Sequence, residues 1–215
     1  MFKRKFLIFL LKISPFFLLS ALFLLHPFFR IKTIKTENFS SLLKKYKGRN
    51  IFLTSVKEIR KDLKSIPEIK EVKVSKKFPS TLEVHIEKRH PFLFFRRNKT
   101  WWGVDEEGVV FPSHPSSPSP LVIWKKDFSA GEKFSELSNG VKVFREFRHH
   151  FPQWEIRSLE IKETGIFLHT NRGITIIFSG EGNVPQQMAR LKKIIDKVRP
   201  LSRIDLRFGE EVIIK

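Results

Sequence analysis

The side chains best equipped for chemistry are scattered along this chain. Seven histidines raise the idea of a metal site, because neutral imidazole is a common ligand. His149 and His150, however, are adjacent, so on a helix they point about 100° apart, and no carboxylate stands at ligand spacing. His85 falls on the wet face of a strand pattern and His90 precedes Pro91; both read as surface residues rather than general bases. Asp105-Glu106-Glu107 offers neighbouring carboxylates for acid-base work, but with Gly108 it forms a tight turn in which acidic and glycine residues are expected for backbone reasons. Gly180-Glu181-Gly182-Asn183 is a faint phosphate nest that a helix N-cap explains fully. The chain has no cysteine, which removes disulfides, thiol nucleophiles and cysteine-ligated zinc. Metalloprotease, phosphate-loop and Gly-x-Ser-x-Gly signatures are all missing. The expectation is a binding protein that is not an enzyme, with no cofactor and no metal.

Charge points to partners without choosing among them. The 41 basic and 22 acidic residues give a formal charge of +19, a field that attracts nucleic acid, anionic lipid or acidic wall polymer alike. Arg96-Arg97 and Lys99 ahead of Trp101-Trp102 would suit base stacking. Those aromatics also fit strand and core positions and no reader motif accompanies them, so no nucleic-acid partner is expected.

Between Phe6 and Phe29 the chain holds seventeen Leu, Ile or Phe residues. As a helix this segment would be about 36 Å long, against roughly 30 Å of hydrocarbon. Lys12 can snorkel and Pro15 would kink the helix rather than abolish it. A cleaved signal peptide or a buried core helix are the rivals to an uncleaved anchor. The segment exceeds a usual signal core and no small-x-small cleavage pattern follows, so the expectation is a single-pass membrane anchor. Basic residues flank it on both sides, leaving charge bias undecided; the body is expected outside the cytoplasm, with residues 1–5 as a short cytoplasmic tail.

The most telling stretch downstream runs from Ile66 to Pro91. Val72 and Val74 alternate with Glu71, Lys73 and Ser75, and Leu82, Val84 and Ile86 with Glu83, His85 and Glu87, the two-residue period of strands with one wet face. Phe78-Pro79-Ser80 supplies the turn. Before them, Ser55 with Glu58 is a capping box, and Val56, Ile59, Leu63 and Ile66 form an apolar helical stripe stopped by Pro67. Ser40 to Tyr46 reads as a short helix closed by Gly48, and Ile31 to Thr36 as a weak strand. Residues 30–91 therefore predict a β-α-α-β-β domain with two helices on one face of a three-stranded sheet.

Residues 92–215 predict a mixed, β-rich domain with two amphipathic helices, making the whole chain α+β. Expected strands are Phe92 to Arg96, Trp101 to Asp105, Val109 to Phe111, Ile156 to Ile161, Gly165 to Thr170, Ile174 to Phe178, Ile204 to Phe208 and Val212 to Ile214. Asn171-Arg172-Gly173 is a hairpin-like turn, and Pro112 to Pro120 an extended loop. One helix carries Phe134, Leu137, Val141, Phe144 and Phe147, weakened by Gly140. The other is capped by Asn183 and buries Val184, Met188, Leu191, Ile194, Ile195 and Val198 before Pro200.

In this order, Ile66-Pro67-Glu68-Ile69, Lys77-Phe78-Pro79, Glu87-Lys88-Arg89-His90-Pro91, Val104 to Phe111 and Ile204-Asp205-Leu206-Arg207-Phe208 resemble the bacterial cell-division family FtsQ/DivIB over nearly the whole chain. The resemblance implies a POTRA domain and a non-enzymatic scaffold of the divisome in the cytoplasmic membrane, at the septum. It further implies binding of single-span FtsB/FtsL-like proteins by strand addition at the last strand. The matching positions are Phe208 and Val212 to Ile214, and the partner-binding residues expected are Phe208, Gly209, Glu210, Val212, Ile213 and Ile214; an open sheet edge is a physically sensible template for such a partner. Compared with the best-known members, the sequence stops at Lys215 without a tail and has a short cytoplasmic segment, leaving little room for cytoplasmic partners. Rival readings are a POTRA-bearing outer-membrane assembly or secretion factor and a basic envelope protein gripping anionic wall polymer.

Overall fold

The computed structural model describes residues 23–115, 120–199, 202–209 and 211–215. Most of the expected membrane segment, the middle of the Pro-rich loop, Pro200 and Glu210 lie outside the described residues. Among the described residues no helix is long and apolar enough to cross a membrane. The chain divides into two compact units, Met1–Lys88 and Arg89–Lys215.

The first unit is built on β1 (Thr33–Lys35), α1 (Ser40–Leu43, continuing as a 3-10 turn through Tyr46), α2 (Val56–Lys64), β2 (Ile69–Lys77) and β3 (Thr81–Lys88). Its sheet order is β1-β3-β2, with β1 parallel and β2 antiparallel to β3. Val72 faces Ile86 and Val74 faces Val84, and the alternation buries Val72, Val74, Leu82 and Val84 while Lys73 and His85 stay wet. The Ser55 hydroxyl accepts the Glu58 N–H at 3.3 Å, and α2 buries Ile59 and Leu63. Tyr46 donates its hydroxyl to Asp62, which Lys45 also contacts. Those two donors, Lys45 first, hold the Asp62 carboxyl below its ordinary value. The expected strand from Ile31 is shortened because Ile31 N–H bonds Arg49 O at 2.9 Å and Ile31 O accepts Gly48 N–H, tying Ile31 to a loop.

The second unit is one nine-stranded sheet covered by helices. Its elements are β4 (Leu93–Arg97), β5 (Thr100–Val104), β6 (Val110–Pro112), β7 (Leu121–Ile123), α3 (Ser135–His150), β8 (Ile156–Lys162), β9 (Gly165–Thr170), β10 (Thr175–Phe178), α4 (Val184–Ile194), β11 (Arg203–Asp205) and β12 (Ile213–Ile214). The order is β12-β11-β10-β9-β8-β7-β4-β5-β6. Parallel neighbours cannot be joined by a tight turn; accordingly α3 links parallel β7 and β8, and α4 links parallel β10 and β11. Leu137, Val141 and Phe147 from α3 and Met188 and Leu191 from α4 share one core with Leu159, Leu168, Ile176, Phe178 and Ile204 from the strands. Gly140 does not interrupt α3. A Cβ there would come within 2.6 Å of Ile161 Cδ1, so the glycine permits the close approach of helix to sheet.

Candidate partner-binding edge

Asp105 is buried: its Oδ1 accepts the N–H groups of Glu107 (3.0 Å) and Val109 (2.9 Å), and its Oδ2 accepts from Arg89. It braces a turn in which Gly108 takes φ +83°. His85, His90, His149 and His150 are exposed, and among the described residues no group of three or more His, Cys, Asp or Glu side chains could hold a metal ion. Trp102 packs its ring against Phe128 at 4.8 Å, and Arg96 lies over Trp101. Asn183 caps α4 by accepting the Gln186 N–H at 3.2 Å, which accounts for the glycine-rich approach to that helix.

What remains is the end of the sheet. β12 pairs only with β11, and among the described residues no further strand pairs with its outer side. Arg203 and Lys215 exchange both backbone bonds, at 2.8 and 3.0 Å. In an antiparallel ladder such pairs alternate, so Asp205 with Ile213 is the next bonded pair and Ile204 faces Ile214 across a non-bonded position. The N–H and C=O of Ile214 consequently point away from β11, toward the open edge. Side chains alternate as well. Val212 packs partly against the helix-covered core, on the face it shares with Ile214, whereas Ile213 lies with Arg203, Asp205, Arg207, Phe208 and Lys215 around a shallow hollow on the other face. Phe208 is 50% exposed, Ile213 36% and Ile214 50%, so the edge offers apolar contact on both faces.

The described residues between the two strands are tied by side-chain hydrogen bonds. The expected strand through Phe208 ends at Asp205: Leu206 N–H still reaches Ile177 O at 2.9 Å, then the chain turns. Asp205 Oδ1 accepts Arg207 N–H (3.2 Å) and Nε (2.9 Å), and Oδ2 accepts Nη2 (2.6 Å). These bonds, the side-chain ones foremost, hold the Asp205 carboxyl below its ordinary range and push Arg207 up. Arg190, on α4, grips both sides of the turn, donating to Leu206 O (2.8 Å) and Glu211 O (3.0 Å). Gly209 sits at φ +49° in the same turn. Of the residues expected at a partner site, Val212, Ile213 and Ile214 thus lie along the edge, Phe208 and Gly209 on the adjoining turn, and Glu210 outside the described residues. Sequence reasoning passed over Arg190, Arg203 and Lys215, whose positions depend on pairings far apart in the chain. The basic side chains of Arg203, Arg207 and Lys215 line the hollow with one acidic side chain, Asp205, so an acidic side chain brought beside the edge would be attracted.

Residues 31–89 match the family described as POTRA domain, FtsQ-type. The chain is similar to the cell division protein DivIB of Clostridium tetani, 24% identical over 55% of this chain and 50% of that protein. It is 39% identical to the cell division protein FtsQ of Rickettsia bellii over 46% of this chain and 36% of that one. With FtsQ of Xanthomonas campestris it shares 24% identity over 82% of this chain and 63% of the other. The first of these relatives is matched over half its length.

Proposed function

We propose that this chain, a relative of the FtsQ and DivIB cell division proteins that carries an FtsQ-type POTRA domain, is a non-enzymatic scaffold of the division machinery. It is anchored in the cytoplasmic membrane by residues 6–29, keeps its N-terminus in the cytoplasm and presents its body outside, at the septum. Its task there is to hold FtsB/FtsL-like single-span proteins by accepting a partner segment as an additional strand beside β12.

The observation that carries this reading is the outward-facing backbone of Ile214 on an edge flanked by exposed Phe208, Ile213 and Ile214. Main-chain groups of this kind supply affinity in strand addition, and side-chain contacts on alternate faces supply specificity. The pinned turn limits the ordering that binding must impose, which favours affinity.

Deleting Val212 to Lys215 is expected to abolish co-purification with an FtsB/FtsL-like pair and to remove the mid-cell band of a fluorescent fusion, while the POTRA unit keeps its circular dichroism. Undiminished co-purification by the deleted chain would reject the edge as the binding site.

A further inference from the structure

We infer that the first unit carries a second membrane contact, in which the turns bearing Phe52, Leu53 and Phe78 lie in the headgroup layer of the bilayer that holds the anchor. The inference rests on the anchor reading above.

Turns ordinarily carry polar residues and glycine. Here two turns present large apolar side chains that the core of this unit leaves outside: Leu53 is 72% exposed and Phe78 57%. They belong to one patch with the last described residues of the apolar N-terminal segment. The rings run from Phe23 to Phe29 (5.3 Å between centroids), from Phe29 to Phe52 (5.0 Å) and from Phe52 to Phe78 (4.9 Å, stacked). Hydrogen bonds fix the same path. Asn50 donates to Leu24 O at 2.7 Å while its own carbonyl accepts the Phe52 N–H at 2.9 Å, and Ile51 N–H bonds Phe29 O at 2.8 Å. Where the apolar segment leaves hydrocarbon, the Phe52 and Phe78 turns are therefore held beside it.

Basic residues stand beside both turns, and the Lys76 ammonium lies at one of them. Lys76 reaches Phe52 O at 3.3 Å, and Lys32 N–H bonds Ser80 O in the Phe78 turn. Arg30 bridges Asn50, and Lys77 adjoins Phe78 with Glu83 at 3.8 Å. Apolar turns flanked by basic residues are the composition of interfacial contacts on anionic lipid. Continuity with the anchor selects the bilayer as the occupant, since the patch begins in the segment that enters it.

The absence of cysteine makes a labelling test clean. The full chain, carrying a single Cys with an environment-sensitive fluorophore, is reconstituted into vesicles of phosphatidylethanolamine and phosphatidylglycerol containing nitroxide lipids. Leu53→Cys and Phe78→Cys should be quenched several-fold more by headgroup-level nitroxide than Glu71→Cys, which stands about 23 Å along β2 from Phe78 at roughly 3.3 Å per residue. Leu18→Cys, in the apolar segment, should be quenched by deep nitroxide. Quenching at Leu18 with positions 53 and 78 no more quenched than 71 overturns this inference and leaves the anchor standing. No quenching at Leu18 removes the anchor and this contact together. Shielding of 53 and 78 that develops only when another membrane protein is added assigns the patch to that protein and overturns the lipid contact.

Discussion

The alternation of the β12 ladder turns strand addition into a test with distinguishable outcomes at neighbouring residues. Ile213 directs its N–H to β11 and Ile214 directs its own outward. Ile214→Pro removes only the outward donor and fits a ring on an edge strand, where proline is tolerated; Ile213 before it is already extended, as a residue preceding proline prefers. A visiting strand would lose one backbone hydrogen bond, worth about 0.5–1.5 kcal/mol net, and would bury an unpaired carbonyl at a further 1–3 kcal/mol or so. The combined loss of about 1.5–4.5 kcal/mol raises Kd roughly 10- to 2,000-fold. Ile213→Pro breaks the inner ladder and should detach β12 itself. Titration calorimetry with a partner peptide, alongside amide exchange at Arg203 and Lys215, separates the two. Ile214→Pro is expected to retain protection and lose binding, Ile213→Pro to lose both, and Ile214→Ala, which keeps the N–H, to weaken binding by about 1 kcal/mol through lost apolar contact. Unchanged affinity in Ile214→Pro with protection intact would refute recognition through that backbone group.

Asp205→Ala removes three bonds to Arg207 and should destabilise the turn by about 2–3 kcal/mol, lowering Lys215 amide protection about 30- to 160-fold. Because the folded Asp205 carboxyl lies below its ordinary value, its contribution is fully present above about pH 4 and is lost as pH falls through the depressed value. Acid titration of the same amide should show that loss, and Asp205→Asn should flatten it. Gly108→Ala is expected to destabilise the second unit by about 3 kcal/mol or more in urea unfolding, since its Cβ would meet Phe134 O at 2.1 Å at φ +83°, adding backbone strain to overlap.

Periodicity made most of the architecture readable. The valines of β2 and β3, the Ser55 cap and the Gly165 to Phe178 hairpin all repeat within a few residues, and such local patterns survive folding unchanged. β7 was passed over because three residues after a Pro-rich loop are too short to display a period. The adjacency of β8 to β7 and of β11 to β10 is set by helix crossovers, and that of β7 to β4 by a return past β5 and β6, rather than by local pattern. Asp105 shows the same limit at a single side chain. In sequence it is one of several neighbouring acids, and only the fold brings Arg89 to it and spends its oxygens on turn amides. At the edge, the Ile-Asp-Leu-Arg-Phe string predicts one continuous strand, whereas the strand ends at Asp205. It could not show that the Asp205–Arg207 fork would end the strand and leave Phe208 on a turn.

The two ends of the large sheet differ in a way that bears on what could pair with the open one. At β6 the chain closes its own edge: Val109 bridges Lys133, Val110 N–H bonds Glu132 O, and Gly131 N–H bonds Val110 O. Closing an edge is how sheets avoid pairing with other chains, and at β12 no described segment does the same. Charge can protect such an edge instead. A second copy pairing there would bring Arg203, Arg207 and Lys215 toward their equivalents on a chain of net charge +19, a juxtaposition that like-charge repulsion opposes. An acidic segment of a different chain meets no such barrier. The edge should therefore remain monomeric at low ionic strength while binding a carboxylate-bearing strand, and sedimentation with and without such a peptide reads both. Self-association at low salt that excludes the peptide would show that charge does not select the partner.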